Sequence, residues 1–246
     1  DTDIIKADKK EAFGWFVREL WNLKQEKNGF TLESWNKKQV IVDKDGHFSI
    51  CVDNPPARFE IEIVKDGKTA AEKTVKGADH VIAVIGCNPV INSKEEVDRT
   101  TIALPTEQEE LVKRVAAVNP NTIVALISNY PYAIGELEKK VPAILLSASG
   151  SQELGHGIED VLTGKAAAAG RLNMTWYRSD EDLPDMNDYD IIQGKRTYQY
   201  FDREVLYPFG YGLTYSQIRY SDAHADVTDF GILEPVTVHV TVENTG

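Results

Sequence analysis

The runs TIVALIS (Thr122 to Ser128) and AILLS (Ala143 to Ser147) constrain the fold more than any other feature of the sequence. Each is short and almost wholly apolar, and a helical segment, PYAIGELEKKV, separates them. A strand with one wet face alternates polar and apolar residues. A run that is apolar at every position is buried on both faces, as in a parallel sheet covered by helices. A third such run, HVIAVIGC (His80 to Cys87), lies upstream. The chain is therefore read as α/β, an αβα sandwich around a mostly parallel sheet, with strands at His80 to Cys87, Thr122 to Ser128 and Ala143 to Ser147. Ligands of such sheets bind beyond the carboxyl ends of the strands, where loops enter helices. Ser151-Gln152-Glu153 occupies one of those turns, which makes Glu153 the first candidate for a reactive carboxylate.

At 246 residues and 42% hydrophobic content, the chain can bury a substantial core and is read as more than one domain. A net charge of −12 argues against nucleic acid or an anionic membrane as the main partner, whereas a neutral substrate is indifferent to it. No apolar run reaches the length of a membrane span, and no signal peptide is visible. The sequence reads as cut at both ends: it opens at Asp1 and stops just after the strand-like VTVHVTV. Cys51 and Cys87 have neither a CxxC partner nor a histidine at metal-ligand spacing, so neither a metal nor a cofactor is expected. They read as buried free thiols, with one disulfide between domains left open. Cysteine usage leaves the compartment open, a cytoplasmic location being favoured over a secreted one, and a homo-oligomer is compatible with the sequence.

Residues 1–76 read as a small β-rich unit. EAFGWFVRELWNL suits a helix or an aromatic strand equally. Beyond Asn28-Gly29, Phe30 and Leu32 alternate with Thr31 and Glu33, KQVIV follows, and Asp45-Gly46 marks a hairpin turn before HFSICV. Phe59, Ile61 and Ile63 then alternate with charged residues up to a second hairpin signal, Asp66-Gly67. The sum is an antiparallel sheet with one wet face. Trp15, Trp21 and Trp35 are placed in its core, with sugar stacking as the lesser reading. Residues 77–216 form the α/β region, and Thr106 and Glu109 stand at capping-box spacing ahead of a stripe of Leu111, Val112, Val115 and Val118. NMTWY is expected as an edge strand, and PFGYGLTY as packing that ties this domain to its neighbours. Residues 217–246 open a further β-sandwich, with VTVHVTV as its first strand.

Four motifs in order resemble the C-terminal portion of glycoside hydrolase family 3, the β-glucosidase and β-xylosidase family. They are EEVDR with ALPTEQEELVKRV, then NPNTIVALIS, then SGSQELGHGIEDVLTG with GRL, and finally GKRTYQYFDREVLYPFGYGLTYS. The resemblance covers about residues 77 to 220, which leaves residues 1–76 as an insertion of the kind some members carry. It implies an active site between a (β/α)8 barrel and the αβα domain, with an aspartate nucleophile on the barrel, and Glu153 aligns with the acid/base of the family's GQE motif. No barrel nucleophile motif is present in this sequence. The expected partners are thus a β-linked oligosaccharide or glycoside and a barrel domain of the same protein, and the sandwich that opens at residue 217 is fibronectin III-like. Glu95, Asp98, Arg99 and His156 are the secondary substrate-binding candidates. Ala148-Ser149-Gly150-Ser151 replaces a second glycine and a bulky aromatic, giving a smaller loop ahead of Glu153.

Retaining glycosidases need two carboxylates about 5 Å apart, one to attack the anomeric carbon and one to protonate the leaving oxygen. Against that role stands a structural reading in which Gly150 caps the helix and Glu153 is its third residue, favoured there by the helix dipole. His156, three residues on, is expected near the same face, as a half-buried side chain. Asp98 and Arg99 read equally well as a loop salt bridge. The alternative for the whole chain is a non-catalytic carbohydrate-binding or scaffolding module. A flavodoxin-like nucleotide binder is weaker, because no glycine-rich phosphate loop follows HVIAVIGC.

Overall fold

The computed structural model describes Ile5 and residues 21–34, 36–87 and 99–246. Four antiparallel strands come first, β1 (Trp21–Glu26), β2 (Gly29–Ser34), β3 (Gln39–Val42) and β4 (Phe48–Cys51), paired in chain order. Asp45-Gly46 forms the β3–β4 turn as expected, where the Asp43 carboxylate accepts the N–H groups of Asp45 and His47 at 2.9 and 2.8 Å. The expectation of one wet face is corrected. Thr31, Glu33 and Ser34 are buried, while Phe30 and Leu32 are half-buried. The Glu33 carboxylate is tolerated because it accepts from Lys24 at 2.6 Å and Gln39 at 2.9 Å, with Lys37 at 3.6 Å. Trp21 is half-buried at the start of β1; Trp15, Trp35 and most of EAFGWFVRELWNL lie outside the described residues.

The Lys24 hydrogen bond, ahead of the other partners, holds the Glu33 carboxyl below the ordinary carboxylate range. A depressed folded-state value stabilises the sheet above the unfolded-state pKa of about 4.3, and that contribution is lost as pH falls through the lower folded value. Melting curves at pH 7 and in acid should therefore show a steeper loss for the native chain than for Glu33→Gln. Parallel acid losses in the two proteins would contradict this.

The expected strand through Ile61 and Ile63 does not form. Only Phe59 pairs, with Phe30, by two backbone hydrogen bonds of 2.8 and 2.9 Å. Asp66 is not in a hairpin turn: it caps α1 (Gly67–Val75), its side chain accepting from the N–H groups of Lys68 and Thr69. Asp-Gly serves both as turn and as helix entry, and the helical residues after it decide between them. α1 buries no residue and is held by polar ties to α2 (Thr106–Val118). Lys68 meets Glu107 at 2.7 Å and also Glu110, and Arg114 meets Glu72 at 2.5 Å. Asn119, at the end of α2, donates to the Val75 and Ala78 carbonyls. Ion pairs this open to solvent are screened and contribute little, so α1 is a lightly attached element.

Strands β5 (Val81–Gly86), β6 (Thr122–Ile127) and β7 (Ala143–Ser147) form the expected parallel sheet in that order. Ile85, Val124 and Leu126 of the sheet share a core with Val112 of α2, Leu137 of α3 (Gly135–Glu138), Leu104, Tyr132, Ile134, Trp176 and Leu206. Ile82 and Val84, on the other face of β5, are exposed. The stripe of α2 is Val112, Val115 and Ala116, with Leu111 half-buried and Val118 exposed. The expected capping box is absent: Pro105 takes the cap position, and Glu109 pairs with Lys113 at 2.5 Å instead. Proline at that position displaces Thr106 into the helix, where its hydroxyl is not available to cap.

After the sheet come α4 (Leu154–Leu162), a 3-10 turn at Asp180–Asp182, and α5 (Thr197–Tyr200). NMTWY makes no edge strand. Trp176 bridges to Tyr207, its carbonyl also accepting the Leu206 N–H at 2.8 Å, and Leu172 pairs with Gly210 and Tyr211, so the aromatic PFGYG segment folds back on Gly170 to Trp176. Tyr215 donates its hydroxyl to the Val161 carbonyl of α4 at 2.7 Å. These contacts pack the segment against the α/β region itself, residues 161–176, and not against a neighbouring domain. The chain closes with two antiparallel strands, β8 (Ile218–Ala225) and β9 (Val238–Asn244), so VTVHVTV is preceded by a partner strand that its own pattern did not announce. Both cysteines are free and half-buried rather than buried. No helix among the described residues is long and apolar enough to cross a membrane.

Candidate active site

The parallel register sends the carboxyl ends of β5, β6 and β7 to one edge of the sheet. Three connections leave there: one after Cys87, one from Ser128 into α3, and one from Ala148 into α4. At the end of β5, Gly86 adopts φ +142° and lies so close to β6 that a Cβ would stand 1.9 Å from the Ile127 carbonyl oxygen. Gln108 of α2 closes this strand end. Its side chain accepts the Gly86 N–H at 2.8 Å and donates to the Gly86 carbonyl at 3.0 Å.

Glu153 stands at the third exit, at the entry to α4. It is the cap residue itself, at φ −93° and ψ 6°, not the third residue of a helix capped by Gly150. The Leu154 N–H returns to Ser151 O and the Gly157 N–H to Glu153 O, so residues 151–153 form a turn and the helical register begins one turn later than expected. Gly155 and Gly157 in the first turn weaken any earlier start. The Glu153 side chain makes no cap hydrogen bond. It is 79% exposed and lies 2.6 Å from Nδ1 of His156, itself 77% exposed. The expectation of a half-buried histidine is thus corrected, while its placement beside Glu153 holds. A carboxylate that stabilises no helix end and projects from a strand-to-helix turn is available for proton transfer.

Arg99 is half-buried and engaged by its neighbours. Its guanidinium lies 5.0 Å from the Tyr130 ring centre and 4.8 Å from that of Tyr132, and Nη1 donates to the Pro131 carbonyl at 3.3 Å. It clamps the connection after β6. Glu95 and Asp98 lie outside the described residues. Sequence reasoning missed Asn129, whose Oδ1 accepts the Ser149 N–H at 2.9 Å and so ties the β6 exit to the β7 exit. Its position, directly after a central strand, was the available signal.

The family model for the glycosyl hydrolase family 3 C-terminal domain matches residues 6–215. The chain belongs to glycosyl hydrolase family 3. A xylan 1,4-beta-xylosidase of Xylanibacter ruminicola is 33% identical over 202 residues, covering 77% of this chain and 23% of that protein. A beta-glucosidase of Kluyveromyces marxianus is 32% identical over 191 residues, 73% of this chain and 22% of that protein. The crystal structure of that yeast beta-glucosidase in complex with glucose matches at TM-score 0.64 and 28% identity, over 82% of this chain and 24% of the other. The chain therefore spans about a quarter of the length of these relatives. Within family 3, the residues of the LPTEQ and GRL…PFGYGLTY motifs acquire structural jobs here. Gln108 closes β5, and Leu172 pairs with the glycine-rich turn at Gly210.

Proposed function

We propose that this chain supplies the acid/base carboxylate, Glu153, and one wall of the sugar site of a retaining β-glycosidase acting on terminal β-linked glucose or xylose. The observation that carries the proposal is the exposed Glu153 side chain at the carboxyl edge of the parallel sheet, caps nothing, and holds His156 at 2.6 Å. In the first step Glu153 protonates the glycosidic oxygen while an aspartate on a (β/α)8 barrel attacks the anomeric carbon. In the second step it removes a proton from the water that releases the sugar. His156 orients the carboxylate, and Arg99, held by Tyr130 and Tyr132, builds the wall rather than gripping the sugar. Glu95 and Asp98 remain candidates for contact with the sugar.

In the same reading residues 77–216 are the sandwich domain and 217–246 open a fibronectin III-like sandwich. Because α1 is tied to α2, this reading extends the sandwich domain back to Asp66, and the antiparallel unit ends ahead of it. The test is the dependence of the Glu153→Gln enzyme on its leaving group, argued in the Discussion. A second outcome follows from the need for two carboxylates. These 246 residues by themselves should hydrolyse aryl β-glucosides and β-xylosides no faster than buffer. Turnover by the purified chain that a point mutation within it abolishes would contradict the division of labour.

A further inference from the structure

We infer that the cavity between the 3-10 turn at Asp180–Asp182 and the segment flanking α5 is an accessory site that binds a neutral oligosaccharide by its hydroxyls. The cavity holds about 530 Å³, and Asp182, Pro184, Gln193, Lys195, Asp202 and Arg203 line it. That size is ordinary for small-molecule sites, which run from about 300 to 1,000 Å³. Two carboxylates and two cations face the space, and they are already paired. Lys195 Nζ holds the Asp202 carboxylate, and Arg203 Nη1 meets Asp182 Oδ1 at 3.2 Å. The Arg203 fork also donates to the Glu181 and Asp182 carbonyls at 3.4 and 3.0 Å. No net charge is left to attract an anion or a cation, and an apolar ligand would strip water from four charged groups. A sugar differs from all three. Each hydroxyl both accepts and donates, so it can take an N–H from Lys195 or Arg203 and give its proton to the carboxylate alongside. The Lys195, Asp202 and Arg203 side chains are more than half exposed and keep hydrogen-bonding capacity for it. Gln193 adds a donor and an acceptor, and Pro184 an apolar edge for the C–H face of the ring.

The frame stands before any ligand arrives. Asp190 Oδ1 accepts the Ile192 and Gln193 N–H groups at 3.0 and 2.9 Å, and the Asp190 carbonyl accepts from Gly194 at 2.8 Å. Gly194 fits so closely that a Cβ there would stand 2.6 Å from Asp188 Oδ2. Lys195 and Thr197 then both adopt left-handed backbone, at φ 49° and 64°, a conformation uncommon for either residue type. Strain of this kind collects at ligand clamps, and here it accompanies the pairing of Lys195 with Asp202. Asp182 is held as firmly, its Oδ2 accepting the Arg178 and Ser179 N–H groups at 3.1 and 3.3 Å. Asp180 ties the frame to the α/β region by accepting the Thr101 hydroxyl at 2.5 Å and the Ile102 N–H at 2.7 Å. Ala103, next along, bridges to Ala133 in the connection after β6, so the cavity lies beside the chain that leaves the carboxyl edge of the sheet. The choice of a saccharide rests on the β-glycosidase reading of the chain and asks nothing of Glu153.

The test titrates the 246-residue chain with xylobiose and with cellobiose while its amide resonances are followed by NMR. Saturable shifts are expected at Gln193, Gly194, Lys195 and Arg203, at millimolar sugar. Added salt should leave the binding unchanged, since the ligand carries no charge. Lys195→Gly removes the ammonium while suiting the left-handed backbone, and Arg203→Lys keeps the charge but loses the planar fork. Each should weaken binding about tenfold, with the melting temperature of Lys195→Gly no lower than that of the native chain. Shifts with inorganic phosphate that exceed those with either sugar would mark an anion site and overturn the inference. So would the absence of saturable shifts at these amides, or binding that neither variant weakens. Where a variant does not fold, the position of the shifts in the native chain decides alone. Failure of the β-glycosidase reading shows separately, as an enzyme uniting this region with its barrel that leaves both disaccharides uncleaved.

Discussion

Gly86→Ala should leave the parallel sheet unable to close. A Cβ at residue 86 would lie 1.9 Å from the Ile127 oxygen and 2.7 Å from its carbonyl carbon, and neither atom is on a side chain that can swing away. The Ile127 oxygen is also the acceptor for the Cys87 N–H at 2.9 Å, so moving β6 back breaks the last rung of the β5–β6 pair. Rotating Gly86 instead breaks both bonds to Gln108, and its φ of +142° is one that alanine rarely adopts. Every escape costs either a rung, a closed strand end or backbone strain. The sum belongs with the exceptional single substitutions, about 4 kcal/mol or more. Expression should yield insoluble protein, or a soluble one whose melting temperature has fallen by about 8–16 °C or more, since about 1 kcal/mol moves a domain of this size by about 2–4 °C. A Gly86→Ala chain that melts within a degree or two of the native one would show that β5 does not approach β6 as described.

The same strand end shows how far the sequence could be read. The run HVIAVIGC announced a strand through continuous apolarity, and the structure places β5 inside it at Val81–Gly86, but with Ile82 and Val84 exposed on one face rather than buried on both. The other two strands were equally legible as short, nearly continuous apolar runs, although only β6 is buried along most of its length. That Gly86 must be glycine was not legible. The reason lies in a carbonyl forty-one positions away (127 − 86), brought near only by parallel pairing. Gln108 was quoted in a family motif, yet its job, two hydrogen bonds to Gly86, is likewise a tertiary fact.

The errors have similar causes. Alternation placed Thr31 and Glu33 on a wet face, but Lys24, Lys37 and Gln39 gather around the Glu33 carboxylate, and a paired charge can be buried where a lone one cannot. Asp66-Gly67 read as a hairpin turn because Asp-Gly is a strong hairpin signal, but the same pair opens α1, whose weakly amphipathic KTAAEKTV carries little helical pattern. NMTWY has strand composition, but its partner is the loop at Tyr207, a pairing that no local pattern encodes. At the site, Glu153 stood out at a strand exit, whereas the tie from Asn129 to Ser149 depends on two loops meeting.

The largest effect is expected at Glu153. With Glu153→Gln, glycosides that leave as poorly stabilised alkoxides should lose a factor of roughly 10² to 10⁴ in kcat/KM, the usual contribution of general acid catalysis. Dinitrophenyl glycosides should keep theirs, because an acidic phenol departs without a proton. Their kcat should nonetheless fall, since the glycosyl-enzyme then waits for a water that no base activates. Azide needs no base, so it should restore turnover and leave as the β-glycosyl azide, attacking from the side where Glu153 had stood. The substitution should hardly move the melting temperature, because this side chain makes no cap hydrogen bond at the entry to α4. A purely structural role predicts the reverse pattern, a lower melting temperature with activity lost evenly across substrates.

The measurement that bears most directly on the whole account is therefore kcat/KM of Glu153→Gln across a series of leaving groups, with the melting curve beside it. The account predicts a steep dependence on leaving-group acidity with an unchanged melting temperature. A flat series, at whatever level of activity, would contradict it.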